Sequence, residues 1–128
     1  MIDAKKEIEN RTKWIKNLLK ESGAKGVVFG ASGGKDSVLV GILCKMAADN
    51  VTGIIMPCES SRNFNEDRLD ALEINEKFGI ETVEIDLTEI KRQFAEKLKP
   101  LCPEHSDMAY ANINPRLRMI ALYNYAQR

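Results

Sequence analysis

Lys25-Gly26-Val27-Val28-Phe29-Gly30-Ala31-Ser32-Gly33-Gly34-Lys35-Asp36-Ser37 is the stretch from which the rest of the chain can be read. Val27 to Phe29 is an apolar run with two β-branched residues, which predicts a short buried strand closing at Gly30. Ala31 to Gly34 is a Ser/Gly cluster that breaks the run. From Asp36 the sequence turns to Ser37-Val38-Leu39-Val40-Gly41-Ile42-Leu43-Cys44, long enough for a helix that fades near Asp49-Asn50. A loop between a strand and the helix after it lies at the carboxyl end of the strand. That is where open α/β sheets bind ligands.

The loop is composed for an anion. Gly33 and Gly34 let consecutive backbone N–H groups turn inward as a nest. The following helix points its positive end at the same place. Ser32 and Ser37 add hydroxyl donors. Two common phosphate loops do not fit. GxxxxGK[ST] fails because Gly34-Lys35 is followed by Asp36 and Phe29 stands where the first glycine belongs; GxGxxG fails on glycines at 30, 33 and 34. What remains is Ser-Gly-Gly-x-Asp-Ser. An acid inside a phosphate loop repels its ligand unless a cation intervenes, so Asp36 reads as a Mg²⁺ ligand tied to a polyphosphate. Lys35 reads equally as a phosphate contact or a solvated side chain. A plain Gly/Ser connection without a ligand is the competing reading.

Upstream, Ile8, Ile15, Leu18 and Leu19 fall near one face of a helix from about Asp3 to Ser22, with Gly23 as its stop. Downstream, Val51 to Met56 predicts a second buried strand closed by Pro57. Cys58 to Asn65 reads as loop, with Asn65 capping a helix that ends at Phe78. Ile80 to Ile85 predicts a third strand. Ile90, Phe94 and Leu98 mark the apolar face of a helix over Leu87 to Lys99. Pro100 to Ala111 reads as loop, and Asn114-Pro115 as the cap and first residue of a last helix. Strands alternating with helices predict an α/β fold in three layers around a parallel sheet, one domain over residues 1–128.

Composition narrows the function. Nineteen basic residues balance 19 acidic ones, which argues against a nucleic-acid partner. No apolar run approaches the roughly 20 residues of a membrane helix, and Met1 to Lys20 has no apolar signal core, so no membrane partner is expected. Cys44, Cys58 and Cys102 are odd in number and contain no CxxC. That excludes a disulfide framework and the common zinc ribbons, and points to reduced thiols in the cytoplasm. His105, Glu59, Glu66 and Asp67 read as surface or capping residues, and Arg62 as a solvated side chain or an ATP contact.

A second motif lies late in the chain, Asn112-Ile113-Asn114-Pro115-Arg116-Leu117-Arg118-Met119. Arg116 falls in a first helical turn, where the dipole disfavours a cation, and an anionic ligand supplies a reason for it. Leu117, Ile120 and Ala121 form one apolar face, and Met119, Leu122 and Ala126 another. A helix apolar on two sides is either central to the core or shared with a partner subunit.

The Ser-Gly-Gly-x-Asp-Ser loop resembles the PP-loop of the N-type ATP pyrophosphatases, and the late motif resembles the Asn-Ile-x-x-Arg-x-Arg-Met stretch of ammonia-dependent NAD synthetases. The resemblance covers essentially the whole chain. It implies an adenine nucleotide alpha-hydrolase-like, Rossmann-like fold, with ATP and Mg²⁺ as ligands. Mg²⁺-ATP would adenylate the carboxylate of deamido-NAD, and ammonia would displace AMP. Gly30, Ala31, Ser32, Gly33, Gly34, Lys35, Asp36 and Ser37 would hold ATP phosphates, Asp36 the metal, and Ile55 and Met56 the adenine. Asn112 and Arg116 would contact deamido-NAD near a homodimer interface, with Tyr123 lining the same site. No side chain is expected to act as an acid–base catalyst. The family carries a further half with a Gly-x-x-Asn-Lys-Ser-Glu motif, so the chain is expected to be truncated relative to it and incomplete for catalysis. Without that half, the strand at Val27 to Gly30 becomes a sheet edge, covered by a second copy or by the last helix. A PP-loop enzyme of the tRNA-thiolating type and a non-catalytic nucleotide-binding or assembly module stay open as alternatives.

Overall fold

The computed structural model describes residues 2–59 and 64–128. Helix α1 (Ala4–Ser22) starts at Asp3, whose carboxylate accepts from the Lys6 N–H at 3.3 Å, and stops at Gly23 with φ +71°. Strand β1 (Val27–Gly30) follows, then α2 (Lys35–Ala47), β2 (Val51–Ile55), α3 (Phe64–Lys77), β3 (Glu81–Glu84) and α4 (Thr88–Leu98). Two helices close the chain, α5 (Asp107–Ala111) and α6 (Ile113–Ala126). The strands form one parallel sheet in the order β1-β2-β3, with Val27 opposite Val51 and Thr52 opposite Glu81. Every residue of central β2 is buried.

Alternation along the strands divides the core between two faces. Phe29, Ala31, Val51 and Ile55 pack with Cys44 of α2, Ala71 of α3 and Ile15 of α1. Val28, Ile54 and Val83 face the other way, with Met56, Leu87 and Leu117, Ala121 and Leu122 of α6. The result is the expected three-layer α/β arrangement. Gly41 of α2 fixes the spacing of one layer, since a Cβ there would lie 2.5 Å from the Phe29 ring.

Several expected boundaries and faces move. Residues 107–111 form a helix rather than loop, because Ser106 caps it by accepting from the Ala109 N–H at 3.2 Å. Helix α6 begins at Ile113, so Asn114 does not cap it; Pro115 still sits in the first turn, where no intrahelical N–H bond is lost. Asn65 lies inside α3 rather than capping it. On α6 the packed residues are Leu117, Ala121 and Leu122, while Ile120 and Met119 are exposed. On α1, Thr12, Ile15 and Leu19 turn inward, and Ile8 and Leu18 do not.

The largest departure is α4. Its stripe of Ile90, Phe94 and Leu98 is exposed, and Lys91 is buried instead, at 3%. Leu87 at the helix entry and Lys91 one turn later set the inward face, because Lys91 is bound there to Glu59 and Tyr110. β1 is a sheet edge among the described residues, as expected, and α6 packs on the Val28–Gly30 face of it.

Candidate functional site

The loop between β1 and α2 is shaped by Gly33. Its φ is +82°, and a Cβ there would run into the Asp67 carbonyl oxygen of α3. Only glycine meets both conditions. Gly34 is the N-cap residue of α2, with extended backbone and no side-chain cap. The two serines close a small ring. The Ser32 N–H donates to Ser37 Oγ at 3.3 Å, the two hydroxyls lie 3.0 Å apart, and Ser37 Oγ donates to the Gly34 carbonyl at 3.1 Å. Ser32 Oγ in turn accepts from the Gly34 N–H at 3.3 Å. The ring sets the loop before a ligand arrives. The first-turn N–H groups of α2 have no intrahelical partners, an arrangement chemically suited to receiving an anion.

A cleft of about 650 Å³ runs from this loop along the carboxyl end of β2 to α6. Gly30, Ala31 and Ser32 form one end, Ile54 to Glu59 the floor, Asp67 and Arg68 one wall, and Asn114, Arg118 and Tyr123 the other. At Gly30 a Cβ would stand 3.3 Å from Met56 Cε, so the glycine keeps the cleft open beside Met56. Arg68 is paired with Glu84 at 2.8 Å on the wall.

The floor beyond β2 is pinned from both sides. Leu87 N–H donates to the Pro57 carbonyl at 2.7 Å, Asn114 Nδ2 to Cys58 at 2.9 Å, and Arg118 Nε to Met56 at 3.0 Å. Glu59 has left-handed backbone at φ +59°, uncommon for a side-chain-bearing residue. Its N–H donates to Thr88 Oγ1 at 2.9 Å, and its carboxylate accepts from Lys91 at 3.1 Å and Tyr110 at 2.7 Å. Lys91 Nζ also lies 3.9 Å from the Tyr110 ring centre. The Tyr110 and Lys91 hydrogen bonds hold the Glu59 carboxyl below the usual carboxylate range, and the bond to Glu59 raises the Tyr110 phenol. Burial pushes the Cys58 thiol up, against the opposing charge of Arg118.

The structure brings Gly30, Ala31, Ser32, Ile55, Met56 and Tyr123 into the cleft. Gly33, Gly34, Lys35, Asp36 and Ser37 continue from its end into the first turn of α2, with Lys35 and Asp36 exposed. Asn112 and Arg116 lie outside the cleft lining, at the start of α6; Arg116 Nη1 donates to the Asn112 carbonyl at 3.0 Å. Sequence reasoning missed Arg118 and Asn114, which do line it. It also took Glu59 for a solvated or capping charge, whereas Glu59 is bound by Thr88 and Lys91 of α4 and by Tyr110 of α5. Arg62 lies outside the described residues. Cys58 lines this cleft and Cys102 a separate cavity between α4 and α5, so the two thiols are not a pair; His105 is exposed and sits 2.8 Å from Asp107.

The sequence from residue 7 to 128 matches the model of the NAD synthase family. The chain belongs to that family. Among curated relatives, the NH(3)-dependent NAD(+) synthetase of Finegoldia magna is 41% identical over 120 residues, 93% of this chain and 47% of the relative. Among solved structures, the NH3-dependent NAD synthetase of Campylobacter jejuni aligns with TM-score 0.87 and 31% identity, over 98% of this chain and 53% of that one. The NMN synthetase of Francisella tularensis aligns with TM-score 0.89 and 28% identity, over 99% and 51%. The chain thus spans about half the length of these relatives. Its three-stranded sheet superimposes on the Rossmann-like PP-loop fold of these enzymes.

Proposed function

We propose that this chain forms the ATP-binding part of an ammonia-dependent NAD synthetase, with residues 1–128 as one nucleotide-binding unit. The observation that carries the reading is the phosphate loop. Gly33 is pressed against α3, the serine ring fixes the turn, and the N-terminus of α2 is left uncapped. Gly30 to Ser37 would hold the polyphosphate, and Ile55 and Met56 the base. Asn112, Arg116 and Tyr123 are proposed to hold deamido-NAD.

The residues fit a Mg²⁺ bound through phosphate. Asp36 stands exposed in the first turn of α2, and no group of three His, Cys, Asp or Glu side chains occurs among the described residues. A hard cation here would take one carboxylate and complete its shell with phosphate oxygens and water. When bound it supplies charge neutralisation on the polyphosphate. In the proposed reaction a carboxylate oxygen of deamido-NAD attacks the α-phosphorus, and pyrophosphate leaves with its electron pair. Ammonia then attacks the acyl carbon and AMP leaves. The chain's contribution is placement of the two reactants and an oriented set of N–H donors. Self-association is part of the proposal, supported by exposed Ile120 and Tyr123 on α6. The cytoplasm is the proposed location, where the exposed free thiol of Cys102 stays reduced.

The test is NAD formation from deamido-NAD, ammonium, ATP and Mg²⁺, beside calorimetric Mg²⁺-ATP binding. Asp36→Ala is expected to weaken Mg²⁺-dependent ATP binding by at least about tenfold, and to remove whatever product the wild-type chain forms. Folded protein that binds no Mg²⁺-ATP would overturn the reading. Offering the mononucleotide acid in parallel separates formation of the two products, NMN and NAD, that the structural relatives are named for.

A further inference from the structure

The carbonyls that leave β2 are all held from within the protein. Ile54 accepts from the Ala31 N–H at 2.8 Å, Ile55 from Ile85 at 2.9 Å and Pro57 from Leu87 at 2.7 Å. The remaining two, Met56 and Cys58, accept from side chains of α6, Arg118 Nε and Asn114 Nδ2. The spacings match. Asn114 and Arg118 stand four residues apart on one helix face, a rise of about 6 Å. Met56 and Cys58 are two residues apart just past β2, a span of at most about 6.6 Å. The helix therefore grips two alternate carbonyls of the segment, and the one between them, Pro57, goes to a backbone donor. Asn114 Oδ1 is buried and has no partner among the described residues, so the side chain holds its place through the bond it donates.

We propose that Arg118 and Asn114 are positioning residues: they hold the exit segment of β2 in the shape that forms the cleft floor, Arg118 through its Nε–H and not through its charge on a ligand. What the floor is shaped for rests on the ATP-binding reading; the clamp itself does not. The clamp ties the helix that carries Arg116 and Tyr123 to the segment that would receive the base.

The chain's own cysteines supply the readout. Cys58 is 1% exposed and sits inside the clamp, Cys44 is buried in the opposite layer, and Cys102 is exposed. Alkylation of native protein, resolved by peptide mass, reports each thiol. Arg118→Ala is expected to raise the Cys58 rate about tenfold with Cys44 unchanged, the effect of losing one hydrogen bond to a charged donor. Loss of charge alone works the other way, because Arg118 lowers the Cys58 pKa and favours the reactive thiolate. Arg118→Gln places an amide nitrogen near the Nε position without the charge, and is expected to recover most of the protection. Asn114→Ala tests the second grip, with the same direction. A Cys58 rate that stays at the wild-type value in Arg118→Ala, or that rises in step with Cys44, overturns the clamp.

Calorimetry with Mg²⁺-ATP separates this proposal from the one it rests on. Arg118→Ala is expected to weaken binding about tenfold, and Arg118→Gln to restore it to within about threefold of wild type. If Gln binds as weakly as Ala, Arg118 acts on the ligand by charge and the positioning role is wrong. If wild type binds no ATP while the thiol pattern holds, the ATP reading falls and the clamp stands.

Discussion

The loop between β1 and α2 and the segment leaving β2 border the same cleft, yet they are built in opposite ways. The loop is held by its own neighbours: the bonds between Ser32, Gly34 and Ser37 span two to five residues. The exit segment is held from afar, by Thr88, Lys91, Tyr110, Asn114 and Arg118, at separations of 29 to 62 residues. The first is a local shape written in glycines and serines. The second exists only once four elements have come together. One wall of the site is therefore bonded mostly within itself, seated on α3 at Gly33, and the other is a property of the whole sheet.

Substitutions can break the contrast at either end. The largest expected effect is at Gly33. Gly33→Ala combines a left-handed backbone with a collision against Asp67, and is expected to cost roughly 3 kcal/mol in chemical denaturation and to remove measurable ATP binding. Lys91→Ala comes next. It removes a buried cation from beside Glu59 and is expected to cost about 2 kcal/mol, with Lys91→Met recovering part through packing of the stem.

The pH dependence follows the same network. The Glu59 carboxyl is lowered in the folded protein, so its contribution to stability is full above the ordinary carboxylate range and is lost as pH falls through the folded value. Melting temperatures between about pH 2 and 6 should therefore drop more steeply in wild type than in Glu59→Gln. Tyr110 is raised, so its contribution is full below the ordinary phenol value and lost as pH climbs through the folded one. The smallest effect belongs to Arg116→Ala. Arg116 is exposed, so stability should change by no more than about 0.5 kcal/mol, with ATP affinity kept and deamido-NAD binding weakened.

The fold was legible because its signals are short-range. Val27 to Phe29 and Val51 to Ile55 are apolar runs between turn residues, and Gly23 closes a periodic helix. Helix α4 misled because Ile90, Phe94 and Leu98 have the spacing of a buried face, while the inward face is set by Lys91. A lysine reads as solvent-facing until its carboxylate and aromatic partners, 32 residues back and 19 residues on, are known to lie beside it. Arg116 and Arg118 show the same limit within one motif. The helix separates their directions, but only the position of Met56 reveals which one enters the cleft. Of the candidate site, the turn from Gly33 to Ser37 is written in adjacent glycines and serines that the sequence displays, whereas the bonds from Asn114 and Arg118 to the β2 exit are not visible in it.

The occupied carbonyls from Ile54 to Cys58 also carry a consequence for the order of folding. Their partners come from the segments leaving β1 and β3 and from α6, so the last bonds close only after distant parts of the chain have been brought together. We predict that these contacts form after the rate-limiting step. Weakening them should leave the refolding arm of a chevron nearly unmoved and raise the unfolding arm, whereas Gly41→Ala, in the α2–β1 contact made between near neighbours, should slow refolding. The cleft floor is then the first part of the native protein to let go, and its lifetime is governed by the unfolding rate.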